Sequence, residues 1–519
     1  MSEENDNLSR LCGESHYGIT KFEAAGFIIF TVLLAWSFGV YDRHLFDDEV
    51  ITLSVISRWG YGEIFRSFVE GYDFHPPLSF LVFRALSDLG LSPAEMRVVS
   101  FIFTLTAFLL IADLSLRPLR RIHSGTPVAP PLALFVFSTF PLLYGMGDAL
   151  RWYPLFALLV AAFSWLYLRS GRPTLGAGAV LGLAASTNFL AAIPYVAFVI
   201  HRYGVKRRFS LRSDGLFHLS LVFFAWPAIV NFIALTQQHS FMALTLPHTV
   251  APLGFGAVSS SIAALGITAL GFFGGYRLGL LNGLLALPYL LFLAAFTGYL
   301  IRARMGSAHI AVSGDAADLS GFALILTFIS IAFIVITGFD KPRSFLFLAP
   351  FVTAIFVLGH IAVKPTQHTT AASVCAVLIL FSAVMANSRT SDAPFKRNLV
   401  IPFEQVERFV TDNTDGTVLV ATAEYVSRYL FENLGFCVVP RSKQQDCFND
   451  DLQVFDYVVL AHDHNYARIS TLVNLEKHVQ AERSLVAKGT FGYDREASLK
   501  TALTNVELEE WILTVEIYR

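Results

Sequence analysis

The sequence predicts a polytopic α-helical membrane protein. It would have about eleven transmembrane helices, interfacial helices in the first outer loop, and a small C-terminal outer α/β domain. Three observations predict this. Of the 519 residues 54% are hydrophobic and 15% charged, with a mean hydropathy of +0.56, whereas a soluble domain is closer to a quarter charged. The apolar residues come in runs of roughly 17 to 25, long enough to cross a hydrocarbon core of about 30 Å. After Asn387 the charges return and the long apolar runs stop. The net charge of −2 gives no footing for nucleic-acid binding.

Residues 1–21 are polar and acidic and read as a cytoplasmic tail. They lack the basic stretch of a cleaved signal peptide, so the first span is expected to stay as an anchor. Residues 22–387 form the expected membrane domain, with candidate spans at 22–41, 95–116, 129–146, 152–168, 215–236, 280–301, 321–338, 343–362 and 370–387. The stretch 174–203 has basic residues on both flanks, and both flanks favour the cytoplasm. It is expected to fold as two short helices that turn at Ser186-Thr187-Asn188.

The basic clusters Arg117–Arg121, Arg169 and Arg172, 202–212, and Arg302 and Arg304 then fall inside. The loops 42–94, 147–151, 237–279 and 339–342 fall outside, as does the C-terminus. In the first outer loop, 76–89 is apolar but too short to span, and 49–69 has an apolar face at Ile64, Phe65, Phe68 and Val69. Both read as helices lying in the membrane interface, and 254–276 is expected to do the same.

Residues 388–519 read as an outer, periplasmic or lumenal, α/β domain. VLVATAEYV and FDYVVLAHD are its buried strands, and EYVSRYLFENLG is a helix with a glycine stop. Cys437 and Cys447 lie ten residues apart there and can pair only in an oxidising compartment. In AHDHN, neighbouring residues at a strand end point to opposite faces, so His462, Asp463 and His464 are not expected to hold a metal.

The chemistry-bearing residues gather on the outer side. FDDEV puts Asp47, Asp48 and Glu49 where the first span ends. Acids at a helix start suit the helix dipole, but at a membrane surface they need water, a cation or a ligand. His75-Pro76-Pro77 opens the second interfacial helix, where the prolines stiffen the backbone carrying the imidazole. GMGDALRWYPL brings Asp148, Arg151 and Tyr153 to the head of a span, with Asp148 and Arg151 expected on one helix face. FDKPRSFLFLAP adds Asp340, Lys341 and Arg343. Each motif alone has a structural explanation. Together they place carboxylates able to act as a base beside cations able to clamp a phosphate.

The run DDEV, an amphipathic helix, HPPLSFLVFRAL and EMRVVSFIFTLTAFLL resembles the GT-C membrane glycosyltransferases. It is most similar to the branch holding the dolichyl-phosphate-mannose protein mannosyltransferases and the lipid A aminoarabinose transferases. GDALRWYPLFALL resembles that branch's acid-Ala-Arg-x-Tyr segment, with Arg151 one residue further from the acid. KPRSFLFLAP resembles its late Arg-aromatic stretch, with Ser344 where an aromatic residue is usual. The resemblance runs over about residues 20–360.

It implies a hexosyltransferase-type enzyme that takes a sugar from a polyprenyl-phosphate donor. Separately, the missing basic secretory signal and the short, tight loops suit a bacterial inner membrane, with the eukaryotic endoplasmic reticulum as the alternative. The acceptor would be a lipid, a glycan or a protein on the outer face, and the anomeric centre would invert. Asp48, Glu49 and Asp148 would be catalytic, with Asp48 the general base. His75, Arg151, Tyr153, Lys341 and Arg343 would bind substrate. No cofactor is implied. Carboxylates and a histidine are compatible with a divalent metal, but none is expected, because Arg and Lys neutralise the phosphate. The rival class is a secondary transporter or lipid flippase, which would want ionisable residues inside the spans and paired repeats.

Overall fold

A computed structural model describes residues 19–37, 47–69, 75–122, 129–138, 140–237, 314–337, 342–362, 403–422, 436–439, 452–462, 470–493 and 511–519. The chain divides into two compact units. One comprises residues 1–41 and 60–390, and the other residues 42–59 and 391–519.

In the first unit, four described helices are long and apolar enough to cross a membrane: Pro93–Pro118, Trp152–Ser170, Leu211–Thr236 and Ala317–Thr337. They make this an integral membrane protein. The expected spans 280–301 and 370–387 lie outside the described residues, as do 254–276 and the helix expected in EYVSRYLFENLG. Helix starts are written locally. Thr20 and Glu23 form a capping box for Lys21–Ser37, the Thr20 amide donating to Glu23 Oε2 at 2.8 Å. Ser92 and Glu95 repeat it for Pro93–Ile122 at 2.7 Å.

Several expected spans are broken by their own sequence. Residues 129–146 are not one helix. The helix Ala129–Ser138 stops, Phe140 is extended before proline, and Pro141 opens a short helix, Pro141–Met146. The stretch 343–362 begins as a tight 3-10 turn, Pro342–Leu348, before the helix Ala349–Ala362. The expected helix over 49–69 is two, Asp47–Arg58 and Tyr61–Val69, the second started by the Gly60 amide donating to Glu63 Oε2 at 2.8 Å. The break also divides the units, so Asp47–Arg58 belongs with residues 391–519.

The break at Ser186-Thr187-Asn188 falls where the basic flanks require it, between the helices Leu175–Ala185 and Ala192–Val199. These three side chains are buried and supply the hydrogen bonds that a broken helix lacks. Ser186 Oγ donates to the Phe224 carbonyl at 2.6 Å, and Asn188 Oδ1 accepts from the Leu190 amide at 2.8 Å. The Ser186 carbonyl accepts from the Leu78 amide at 3.0 Å, fixing the start of the helix Leu78–Asp88. Leu175–Ala185 packs against Leu211–Gln237 through glycine. A Cβ on Gly178 would stand 2.2 Å from the Phe217 carbonyl oxygen, and one on Gly182 would stand 2.6 Å from that of Leu221. This is the small-xxx-small contact by which membrane helices approach closely.

The second unit holds a five-stranded sheet in the order β2-β1-β3-β5-β4. The strands are β1 Val418–Thr422, β2 Cys437–Val439, β3 Tyr457–His462, β4 Leu485–Tyr493 and β5 Trp511–Tyr518. β1 runs parallel to β2 and β3, and β5 antiparallel to β3 and β4. Alternate residues serve opposite faces. Val418, Val420, Val459 and Val515 pack with Val406 and Val410 of the helix Phe403–Asn413. Leu419, Val458 and Leu460 pack with Val479 of the helix Ser470–Glu482. Cys437 is disulfide-bonded; Cys447, Asp463 and His464 lie outside the described residues.

Candidate functional site

The turn 147–151 joins the helices Pro141–Met146 and Trp152–Ser170. Gly147 is required there, because a Cβ would stand 2.2 Å from the Leu143 carbonyl oxygen. Thr104 Oγ1, from the Pro93–Ile122 helix, donates to the Gly147 carbonyl at 2.8 Å. The turn is buried throughout, Asp148 completely and Arg151 to 5% exposure. Arg151 is the extended residue capping Trp152–Ser170, at φ −143° and ψ 178°, and its side chain makes no cap bond. The expectation that Asp148 and Arg151 share a helix face is therefore corrected: both precede the helix Trp152–Ser170 and lie in the turn.

A cation at the positive end of a helix is badly placed unless an anion joins it. Arg151 Nε and Nη1 are buried without a hydrogen-bond partner among the described residues, and so is the neighbouring Trp152 Nε1. Each buried donor left unmade costs about 1–3 kcal/mol, and more for a charged group. The guanidinium carbon of Arg151 lies 5.4 Å from the Phe80 ring, and the Trp152 ring lies 5.6 Å from His75. Both side chains thus meet the stretch that opens the Leu78–Asp88 helix.

An aromatic wall continues the site. Trp152 contacts Tyr153 at 4.4 Å and Phe156 at 5.6 Å, and Phe156 contacts Phe347 at 5.2 Å. The guanidinium carbon of Arg343 lies 5.9 Å from the Tyr153 ring. So His75, Arg151, Tyr153 and Arg343 come together, with Asp148 in the turn that carries Arg151. Asp48 and Glu49 start the Asp47–Arg58 helix in the second unit. Glu49 is buried, while the Asp48 side chain lies outside the described residues, as do Asp340 and Lys341.

Sequence reasoning missed Trp152 and Phe80. A tryptophan heading a span reads as an interfacial anchor, so its only sequence signal was its place between Arg151 and Tyr153. Among the described residues no group of three or more His, Cys, Asp or Glu is placed to hold a metal ion.

Fold and site together define a helical integral membrane protein with an acceptor-seeking cluster of buried donors at the head of one membrane helix. The chain is similar to two solved structures of ArnT from Cupriavidus metallidurans. With the apo state it shares 12% identity over 95% of this chain and 98% of that one, at a TM-score of 0.47. With the form bound to undecaprenyl phosphate it shares 11% identity over 95% and 97%, at a TM-score of 0.48. No protein-family model matches the sequence, and no curated protein does.

Proposed function

We propose that the protein is a membrane glycosyltransferase that moves a sugar from a polyprenyl-phosphate donor to an acceptor hydroxyl on the outer face. The observation that carries this reading is Arg151, a buried cation at a helix start with unpartnered donors. It wants an anion, and in a membrane protein a lipid-borne phosphate reaches that depth. The resemblance of DDEV, HPPL and the Arg151 segment supplies the reaction class.

In the proposed reaction the acceptor oxygen attacks the anomeric carbon as Asp48 takes its proton. The bond from that carbon to the phosphate oxygen breaks, and the electron pair leaves on the lipid phosphate. Arg151, Arg343 and Lys341 stabilise that charge. Direct displacement inverts the anomeric centre. Glu49 and His75 orient the base or the acceptor, Asp148 assists the base or holds the donor sugar, and Tyr153 borders the donor. No metal is needed, because the leaving charge meets arginine and lysine. The disulfide at Cys437 supports an outer, oxidising location for the C-terminal domain, periplasmic if the host is a bacterium, with the N-terminus cytoplasmic.

The test is transfer of radiolabelled sugar from a panel of polyprenyl-phosphate sugars to membrane extract. Wild type should incorporate label, and Asp48→Asn should lose about 10²–10⁴-fold of it at unchanged membrane insertion. Substantial turnover in Asp48→Asn would remove Asp48 as the base. Incorporation from none of the donors, with folded protein, would sink the reading.

A further inference from the structure

Arg151 Nε, Arg151 Nη1 and Trp152 Nε1 lie on adjacent residues, and none has a hydrogen-bond partner among the described residues. Both side chains are more than nine-tenths buried. Two comparable buried side chains of the same unit are partnered. Trp165 Nε1 donates to Asp113 Oδ2 at 2.9 Å, and Arg202 faces Asp214 at 3.4 Å. The sequence is therefore able to partner such groups, and it leaves these three open together at the start of one helix.

We infer that Arg151 and Trp152 form a single oxyanion subsite, in which the guanidinium Nε and Nη1 and the indole Nε1 donate to the oxygens of one lipid-borne phosphate. The inference rests on the proposed function and adds to it a neutral donor. A sugar hydroxyl would leave the guanidinium charge uncompensated. A phosphate offers enough acceptor oxygens for all three donors and a charge to match. Trp152 is held for this task. Its ring is packed by His75 on one contact and by Tyr153 and Phe156 on others, so the N–H is aimed by packing and not by a bond of its own. An arginine alone fixes the charge, and the tryptophan adds a direction.

The lack of a partner separates a ligand-binding role from a structural one. Trp152→Phe keeps an aromatic ring and removes only a donor that the empty protein does not use. It should leave the melting temperature of the empty protein unchanged or raise it. Trp165→Phe removes a satisfied donor, so it should lower the melting temperature and leave ligand binding alone. The experiment measures binding of a long-chain isoprenyl monophosphate, the matching isoprenol and inorganic phosphate to purified full-length protein.

Trp152→Phe should weaken the monophosphate about tenfold and leave the weaker isoprenol binding as it was. Equal monophosphate affinity in wild type and Trp152→Phe overturns the inference while the proposed function stands. Wild type that binds monophosphate no better than isoprenol overturns both. Inorganic phosphate shows the source of the anion: competition that is weakened equally by Trp152→Phe means the subsite takes phosphate without its tail.

Discussion

The helix Trp152–Ser170 connects two polar regions that look alike in composition and differ in completion. At its far end Tyr167, Arg202 and Lys206 each have a partner. Tyr167 OH meets His201 Nδ1 at 2.9 Å. Arg202 faces Asp214, whose carboxylate also accepts from Tyr203 OH at 3.0 Å and from the Ser210 amide at 2.5 Å. Lys206 pairs with Asp318 at 2.5 Å. At its head, Arg151 and Trp152 present donors to nothing among the described residues. A closed network is part of the fold, whereas an open one is spare capacity kept for something else. Burial and charge alone do not tell them apart; only the count of partners does.

The largest expected effect tests the closed end. Asp214→Ala should cost about 3–5 kcal/mol, because it leaves Arg202 buried without its counter-charge; thermal unfolding of the purified protein reads it. Arg151→Met at the open end should instead leave stability nearly unchanged and lower transfer about 10²–10³-fold. Equal destabilisation by the two substitutions would erase the contrast.

Gly147→Ala forces the turn that carries Arg151 away from the Leu143 carbonyl. It should cost about 1–3 kcal/mol and, unlike Arg151→Met, lower stability and activity together. The smallest effect lies in the second unit, where Glu516 is another closed case. Burial pushes its carboxyl up, but hydrogen bonds from Lys488 and Tyr518 and the nearby Lys488 and His462 charges outweigh this, so its pKa ends below the ordinary 4.5. A depressed carboxyl stabilises the fold above its unfolded value. That contribution is full above about pH 4.5 and fades as the pH falls through the folded value. Lys488→Met should remove under about 1 kcal/mol and flatten the acid limb of the stability profile.

Much of the membrane helix pattern was legible because hydropathy and basic flanks act over whole segments. The break at Ser186–Asn188 was legible for the same reason: a stretch with cytoplasmic signals at both ends cannot be one span. The short β1 and β3 strands followed from β-branched runs. The breaks at Phe140–Pro141 and Trp59–Gly60, however, lie inside apolar or amphipathic runs, and proline or glycine within such a run permits several outcomes. The turn 147–151 was harder still. Its sequence reads as the head of a helix, and a hydrogen bond from Thr104, forty-three residues away, holds it as a turn. Residue type drew attention to His75, Arg151, Tyr153 and Arg343, which the fold brings near one another. It was not enough for Trp152, whose meaning lies in an unmet hydrogen bond that no sequence pattern records.

Ser186 ties three segments at one point, through its hydroxyl to Phe224 and through its carbonyl to the Leu78 amide. The His75-Pro76-Pro77 corner is thus hung from the transmembrane scaffold and does not depend on its own loop for position. Such an arrangement behaves like a tool mounted on a frame: surrounding loops can be rewritten while the corner keeps its address, and the frame itself cannot be altered without moving the tool.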